Sequence, residues 1–388
     1  MRQWLIPALA TVLLLNGCSW IKSWGDKEDS NAPAKLVEFE STLKVGKIWS
    51  VSVGKGLDKT GRQLRPAYSS GNLYAADYKG LLTAVDAETG RKHWEIKTKL
   101  PFTGGPGISD NLLLMGTQDA EVFAFDATSG TQLWSATVTS EVLAPPAEAD
   151  GIVVVRSIDG RIFGLDADTG QRKWVYDHNV PLLTLRGNAP PLLRAGVAFI
   201  GYDGGQVVAL RIDDGTLMWE QTLVTTQGRT ELDRLSDIDG QLVFIASDLL
   251  VSSYKNRLAS LAGDSGRLLW FKDISSATGV SVDRINLALS DKDGNVWLLD
   301  RRNGAEMWKH DQLVRRELTR PVFYGSFIVV GDFDGYLHWI NISTGEFAAR
   351  EKVGGKGFAG PPLVVGNTLY TMTKKGDLSA FRAGAALN

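Results

Sequence analysis

Short alternations of apolar and polar residues, each closed by a turn, recur along the chain with a period near 40 residues. Pro66 to Lys97 shows the order of one unit. Pro66–Ser69 is long enough for one short strand, and Gly71-Asn72 turns the chain. Leu73–Asp77 is a second strand, and Tyr78-Lys79-Gly80 turns again. Leu81–Val85 is a third strand, with Leu82 and Ala84 on one face and Leu81, Thr83 and Val85 on the other. Asp86–Gly90 is a hairpin loop, in which Asp bonds the backbone ahead of it and Gly90 supplies positive φ. The fourth strand carries Trp94. Each unit therefore predicts four antiparallel strands.

The third and fourth strands form a fifteen-residue phrase, Gly80–Trp94, that returns at Ala120–Trp134, Gly160–Trp174, Gly205–Trp219, Asn256–Trp270 and Gly294–Trp308. A weakened copy, Gly335–Ala349, has Ala349 where Trp is expected, and a truncated copy begins at Gly376. A four-stranded unit repeated at this period cannot bury both of its faces alone, so it predicts an all-β chain folded as a β-propeller. Eight phrases predict eight four-stranded antiparallel blades. The last phrase lacks its Trp strand, while Lys47–Val53, with Trp49 at the repeat position, lacks a blade. The N-terminal strand is thus expected to complete the C-terminal blade, closing the ring and removing two free edges. Trp49, Trp94, Trp134, Trp174, Trp219, Trp270 and Trp308 are read as structural repeat residues. A row of ligand-stacking rings is the alternative, but a ligand does not require the same residue in every blade. Each ring buries roughly 150–250 Å² between splayed sheets.

The first residues have a different pattern. Residues 1–17 read as a lipoprotein signal peptide, with Arg2 and then an apolar run of eleven residues, Leu5–Leu15, too short to span a bilayer. Leu15-Asn16-Gly17-Cys18 resembles the bacterial lipobox, and Cys18 is the only cysteine in 388 residues. This implies lipidation at Cys18, a chain without structural disulfides, and a membrane contact through the lipid anchor. Ser19 after the Cys implies sorting to the outer membrane, on its periplasmic face. Residues 18–44 are polar and breaker-rich and read as a flexible tether. Residues 45–388 are the propeller.

Composition and motifs offer no catalytic centre. A net charge of −2, from 42 basic and 44 acidic residues, argues against nucleic acid as a partner. The four His residues are scattered, and zinc spacings are absent. Asp86, Asp126, Asp166 and Asp300 fall at the repeat turn. Asp291–Gly294 and Asp332–Gly335 have the start of a calcium loop but not its remaining ligands, so they read as hairpins. Gly201–Gly205 and Gly354–Gly357 join no strand to a helix, which disfavours phosphate binding. No catalytic, cofactor-binding or metal site is assigned, and the chain reads as a non-enzyme. The phrase is similar to the repeat of pyrroloquinoline-quinone dehydrogenases, which leaves a quinone-dependent enzyme as an alternative. A periplasmic ligand- or glycan-binding propeller is another.

Where the units differ in length, the scaffold yields to function. From the repeat Trp to the next inner turn, Trp94 to Asn111, Trp134 to Gly151 and Trp308 to Gly325 are each 17 residues. Trp174 to Gly196 is 22 and Trp219 to Gly240 is 21. The two long connections carry Leu183, Leu185 and Arg186, and Asp237 and Asp239. Apolar residues rimmed by charge on neighbouring loops suit a protein interface. Strand positions for Leu183 and Leu185, with Arg186 paired internally to Asp237 or Asp239, are the structural alternative. The lipobox, the eight repeats, Leu183–Gly187, Glu231–Asp239 and Gly331–Asn341 together resemble the BamB family, lipoprotein subunits of the outer-membrane β-barrel assembly machinery. That resemblance covers essentially the whole chain. It implies a scaffold that binds the POTRA domains of BamA, and through it the other subunits, at Leu183, Leu185, Arg186, Asp237 and Asp239. It also implies assistance to unfolded outer-membrane proteins, without a cofactor.

Overall fold

The repeat builds one blade after another in the computed structural model, which describes residues 32–58, 63–179, 189–223, 236–254 and 257–386. Among these residues there is no helix. The first blade holds Ala67–Ser69, Asn72–Ala76, Leu81–Asp86 and Lys92–Lys97 in that order. Blades two to seven occupy 102–137, 147–176, 192–222, 243–272, 280–310 and 322–352. The eighth joins Leu363–Val365, Thr368–Met372 and Asp377–Ala386 to the N-terminal strand Leu43–Ser52. Trp49 pairs with Ala380 and Ser52 with Asp377, so the chain's two ends close the ring. One departure from four strands occurs: Gln63-Leu64 adds a parallel fifth strand to the second blade.

The apolar core lies between blades rather than within one sheet. Leu113, Met115, Phe123 and Phe125 face the first blade's Tyr74, Ala76, Leu82 and Ala84. Leu114, Val122 and Ala124, one residue out of step, face the third blade's Val153, Val155, Phe163 and Leu165. A strand buried on both faces needs apolar residues at successive positions, which is why second and third strands read as continuous apolar runs.

The repeated Trp and Gly are partners across blade boundaries. The Trp49 indole N–H donates to the Ala87 carbonyl of the first blade at 3.1 Å. Trp94 donates to Ala127, Trp134 to Ala167, Trp174 to Ile212, Trp219 to Gly263 and Trp308 to Ile342. Each ring also lies flat on the turn glycine of the next blade. Gly215 has φ +72°, and a Cβ there would stand 2.5 Å from the Trp174 ring. Within the same hairpin type, Asp86 Oδ1 accepts Thr89 N–H at 2.8 Å and Thr89 Oγ1–H at 2.6 Å. The Asp and Thr thus shape the turn that presents the Gly to the Trp. Trp270 keeps its place against Gly304, but its buried N–H has no acceptor among the described residues.

Gly196 tests this division of labour. Its φ is +77°, but nothing lies within 4 Å of a Cβ there. Gly196→Ala is expected to cost about 1 kcal/mol, the left-handed backbone alone. Gly215→Ala adds a clash with the ring and is expected to cost about 2–4 kcal/mol in all. Denaturant titration of the two variants measures the difference.

At the boundary between the seventh and eighth blades, Ala349 replaces the Trp and the facing turn glycine is absent too. Tyr324 bridges there instead: its Oη donates to the Asn367 carbonyl at 2.7 Å and accepts the Ala383 N–H at 2.8 Å. The segment from Ala34, which the sequence assigns to the tether, packs along the seventh blade. Ala34 N–H donates to Val314 and Thr42 N–H to Ala348. Arg316 Nη1 donates to the Ala34 carbonyl and Arg350 Nη1 to Val37, while Phe39 stacks on Phe347 at 5.1 Å. The docked chain therefore begins at Ala34 rather than at residue 45.

The connection into the fifth blade also differs from its sequence reading. Gly240 is not the inner turn. The first strand is Val243–Ile245, and Ser247 accepts the Gly263 N–H where Gly71 accepts that of Ala87 and Gly196 that of Ile212. From Trp219 to Ser247 is 28 residues, so this connection is longer than the 21 read from sequence.

Candidate functional site

The inter-blade connections and the hairpins between second and third strands share one end of the ring, joined by backbone bonds. Thr98 N–H donates to Gly80, Leu223 to Gly205 and Val353 to Gly335. The long fourth-to-fifth connection belongs to this set. Asp237 sits in it, buried, and works in two directions: its Oδ1 accepts the Gly204 N–H at 3.2 Å, and its carbonyl accepts the Tyr254 N–H at 2.9 Å. It thereby ties the hairpins of the fourth and fifth blades together. Ile238 N–H donates to the Tyr202 carbonyl, and Ile238 is buried in the core between those blades. Asp239 is half-buried, and its Oδ1 has no hydrogen-bond partner among the described residues.

These carboxylates belong to a charged cluster that the sequence reading does not foresee. Arg156, at the end of the third blade's second strand, is almost wholly buried. Its Nη1 donates to the Gly201 carbonyl at 2.6 Å and its Nη2 to Asp203 Oδ1 at 3.2 Å. Its guanidinium lies 5.2 Å from the Tyr202 ring centre. Burial, reinforced by neighbouring Asp237, pushes the Asp203 carboxyl up to about 6, while Arg156 opposes the rise. Burial, followed by the charges of Asp203 and Asp237, lifts Asp239 well above the usual carboxylate range. Arg156, with His178 nearby, thus stands among the carboxyls of Asp203, Asp237 and Asp239. A signal does exist in the sequence. The hairpin residue three before the last Gly is Asp in Asp77, Asp291 and Asp332, but Tyr202 in the fourth blade, with the acid displaced to Asp203.

Leu183, Leu185 and Arg186 lie outside the described residues, as does Cys18. The chemistry at other conspicuous positions is internal. Asp291 Oδ1 accepts the N–H groups of Asp293 and Asn295, and its Oδ2 those of Asn295 Nδ2 and Trp297 Nε1. Asp332 accepts Arg316, His338 and the Tyr336 N–H.

A family model described as outer membrane protein assembly factor BamB matches residues 46–102 and 97–310. The outer membrane protein assembly factor BamB of Pseudomonas aeruginosa is 46% identical over 382 residues, covering 98% of this chain and 99% of that one. The chain belongs to the BamB family. The crystal structure of BamB from Moraxella catarrhalis superposes with a TM-score of 0.80 at 29% identity, over 87% of this chain and all of that one. The quinohemoprotein alcohol dehydrogenase of Comamonas testosteroni has a TM-score of 0.69 at 13% identity, over 87% of this chain and 76% of that one. That likeness is one of fold alone. The family, not the dehydrogenases, carries the reading of this chain as a non-enzymatic assembly factor.

Proposed function

We propose that this chain is a scaffold subunit of the β-barrel assembly machinery, anchored through Cys18 to the periplasmic face of the outer membrane. Its connection-bearing end docks the POTRA domains of BamA and so assists folding and insertion of outer-membrane β-barrel proteins. Family membership over nearly the full length carries the reading. The position of two of these residues supports its location: Asp237 and Asp239 stand on the longest connection of the ring, beside the buried Arg156 cluster. Arg186 on the preceding connection supplies the basic part of the contact. Leu183 and Leu185 supply the apolar centre that a charged rim surrounds.

Asp237 orders the site from inside, while Arg186 acts on the partner and Asp239 stands at the edge of the contact. Arg186→Ala, and Leu183→Ala with Leu185→Ala, are expected to weaken capture of purified BamA POTRA domains by at least about tenfold, the scale of an interface anchor. Their melting temperatures stay at the wild-type value. Undiminished capture by both variants refutes the assignment, and loss of capture together with loss of fold assigns these residues to the scaffold instead.

A further inference from the structure

The same end of the ring holds a second feature. Connections entering the fifth to eighth blades and the first surround a cavity of about 250 Å³, lined by Arg65, Arg320, Asp239, Gln241, Thr278 and Pro361 among others. Arg65 reaches it along Gly360, where a Cβ would lie 3.0 Å from the Arg65 Cβ. Arg320 Nη1 donates to the Ser281 hydroxyl at 3.1 Å and the Val280 carbonyl at 3.3 Å. Its Nε is buried with no acceptor among the described residues. Glu317 also lines the cavity, but among the described residues neither guanidinium has a carboxylate within ion-pair distance.

Two recessed guanidiniums with no carboxylate in ion-pair contact are an unstable arrangement, because buried charges are normally paired. Burial lowers both groups, and the charge of Arg65 lowers Arg320 further, to about 10. They remain charged at neutral pH, so the strain is not relieved by losing a proton. Asp239 also lines the cavity, and burial, followed by the charges of Asp203 and Asp237, raises its carboxyl well above the usual range. The cavity thus brings two guanidiniums together. Guanidinium forks match carboxylate oxygens two by two.

We propose that this cavity binds a small dicarboxylate, one carboxylate held by the Arg320 guanidinium and the other by Arg65. Binding there needs no partner protein.

The test is isothermal titration of the purified full-length chain with succinate, with propionate, with inorganic phosphate, and with sodium chloride at matched ionic strength. Succinate is expected to bind with a one-to-one stoichiometry, propionate at least tenfold more weakly, and chloride not measurably. Arg65→Gln, which keeps a polar side chain of similar reach and removes the charge, is expected to weaken succinate at least tenfold. Gly360→Ala keeps both charges but displaces the Arg65 stem, and is expected to weaken it severalfold. Absence of succinate binding overturns the proposal, as does equal binding by wild type and Arg65→Gln. Phosphate binding more tightly than succinate overturns the dicarboxylate assignment.

Discussion

A chain beginning at residue 53 is expected to show no cooperative unfolding transition, whereas one beginning at Ala34 melts like the wild type. The strand removed, Leu43–Ser52, is the outer strand of the eighth blade and pairs with Asp377–Ala386 along its length. Its removal also strips Trp49 from Gly90 and Ala87 of the first blade, and breaks the Ser50–Ser379 hydroxyl bond at 2.9 Å. Two boundaries fail at once: a bare sheet edge opens on one side and an unfilled gap on the other. Pairing and packing on this scale match the whole stability of a typical folded protein, about 5–15 kcal/mol. A chain starting at Leu43 keeps the strand and lacks only the packed segment Ala34–Thr42, so it is expected to melt at an intermediate temperature. Circular dichroism and tryptophan fluorescence melts of the three chains give the ranking. A residue-53 chain that melts sharply near the wild-type temperature contradicts this account of closure.

Arg156→Met is the second large effect. Removing one partner of a buried ion pair leaves an uncompensated charge and typically costs about 3–5 kcal/mol. Here the guanidinium offsets Asp203 and also acts on Asp239. The pH dependence gives the effect a signature. Asp203 titrates near 6 in the folded chain against an ordinary 3.8, so between those values the folded state binds the extra proton. Wild-type stability from this group therefore falls as pH rises from about 4 to about 6 and is level above. Without Arg156 the folded value moves higher, and the fall extends further up in pH. The deficit of Arg156→Met is expected to be clearly larger at pH 8 than at pH 5. Adding Asp203→Asn removes one of the stranded charges and recovers part of the loss. Guanidinium chloride titrations at both pH values decide it: an equal deficit at each shows that Arg156 acts through packing alone.

The ring is legible in the sequence because its physics repeats. The same turn, the same glycine and the same Trp recur wherever one blade must seat against the next, and Trp49 finds its place in the eighth blade because it answers a missing strand. The fifth blade misleads for a specific reason. Its inner turn is Ala246-Ser247, with Ala246 itself at φ 55°, so no glycine marks it. Gly240 draws the turn assignment because it is small for another purpose: a Cβ there would stand 2.4 Å from Gly279. The Arg156 cluster is invisible for a different reason. An arginine closing a strand reads as a solvated end, and only the fold brings it to acids 47 residues further along, at Asp203, and beyond. The packed segment after Ala34 is hidden because its grip is mostly backbone carbonyls, held by Arg316 and Arg350, and carbonyls leave no trace in a sequence.

The closing blade also imposes an order in time. A chain that emerges amino end first presents Leu43–Ser52 before any residue that pairs with it, and Asp377–Ala386 arrives last. Seven blades can form one by one from neighbouring residues, but the eighth waits for the final stretch of chain. Until then the early strand is a sticky, unpaired ribbon. Completion of the ring is thus a check on the integrity of the whole polypeptide, since a product cut short near its end has no strand to pair with Leu43–Ser52.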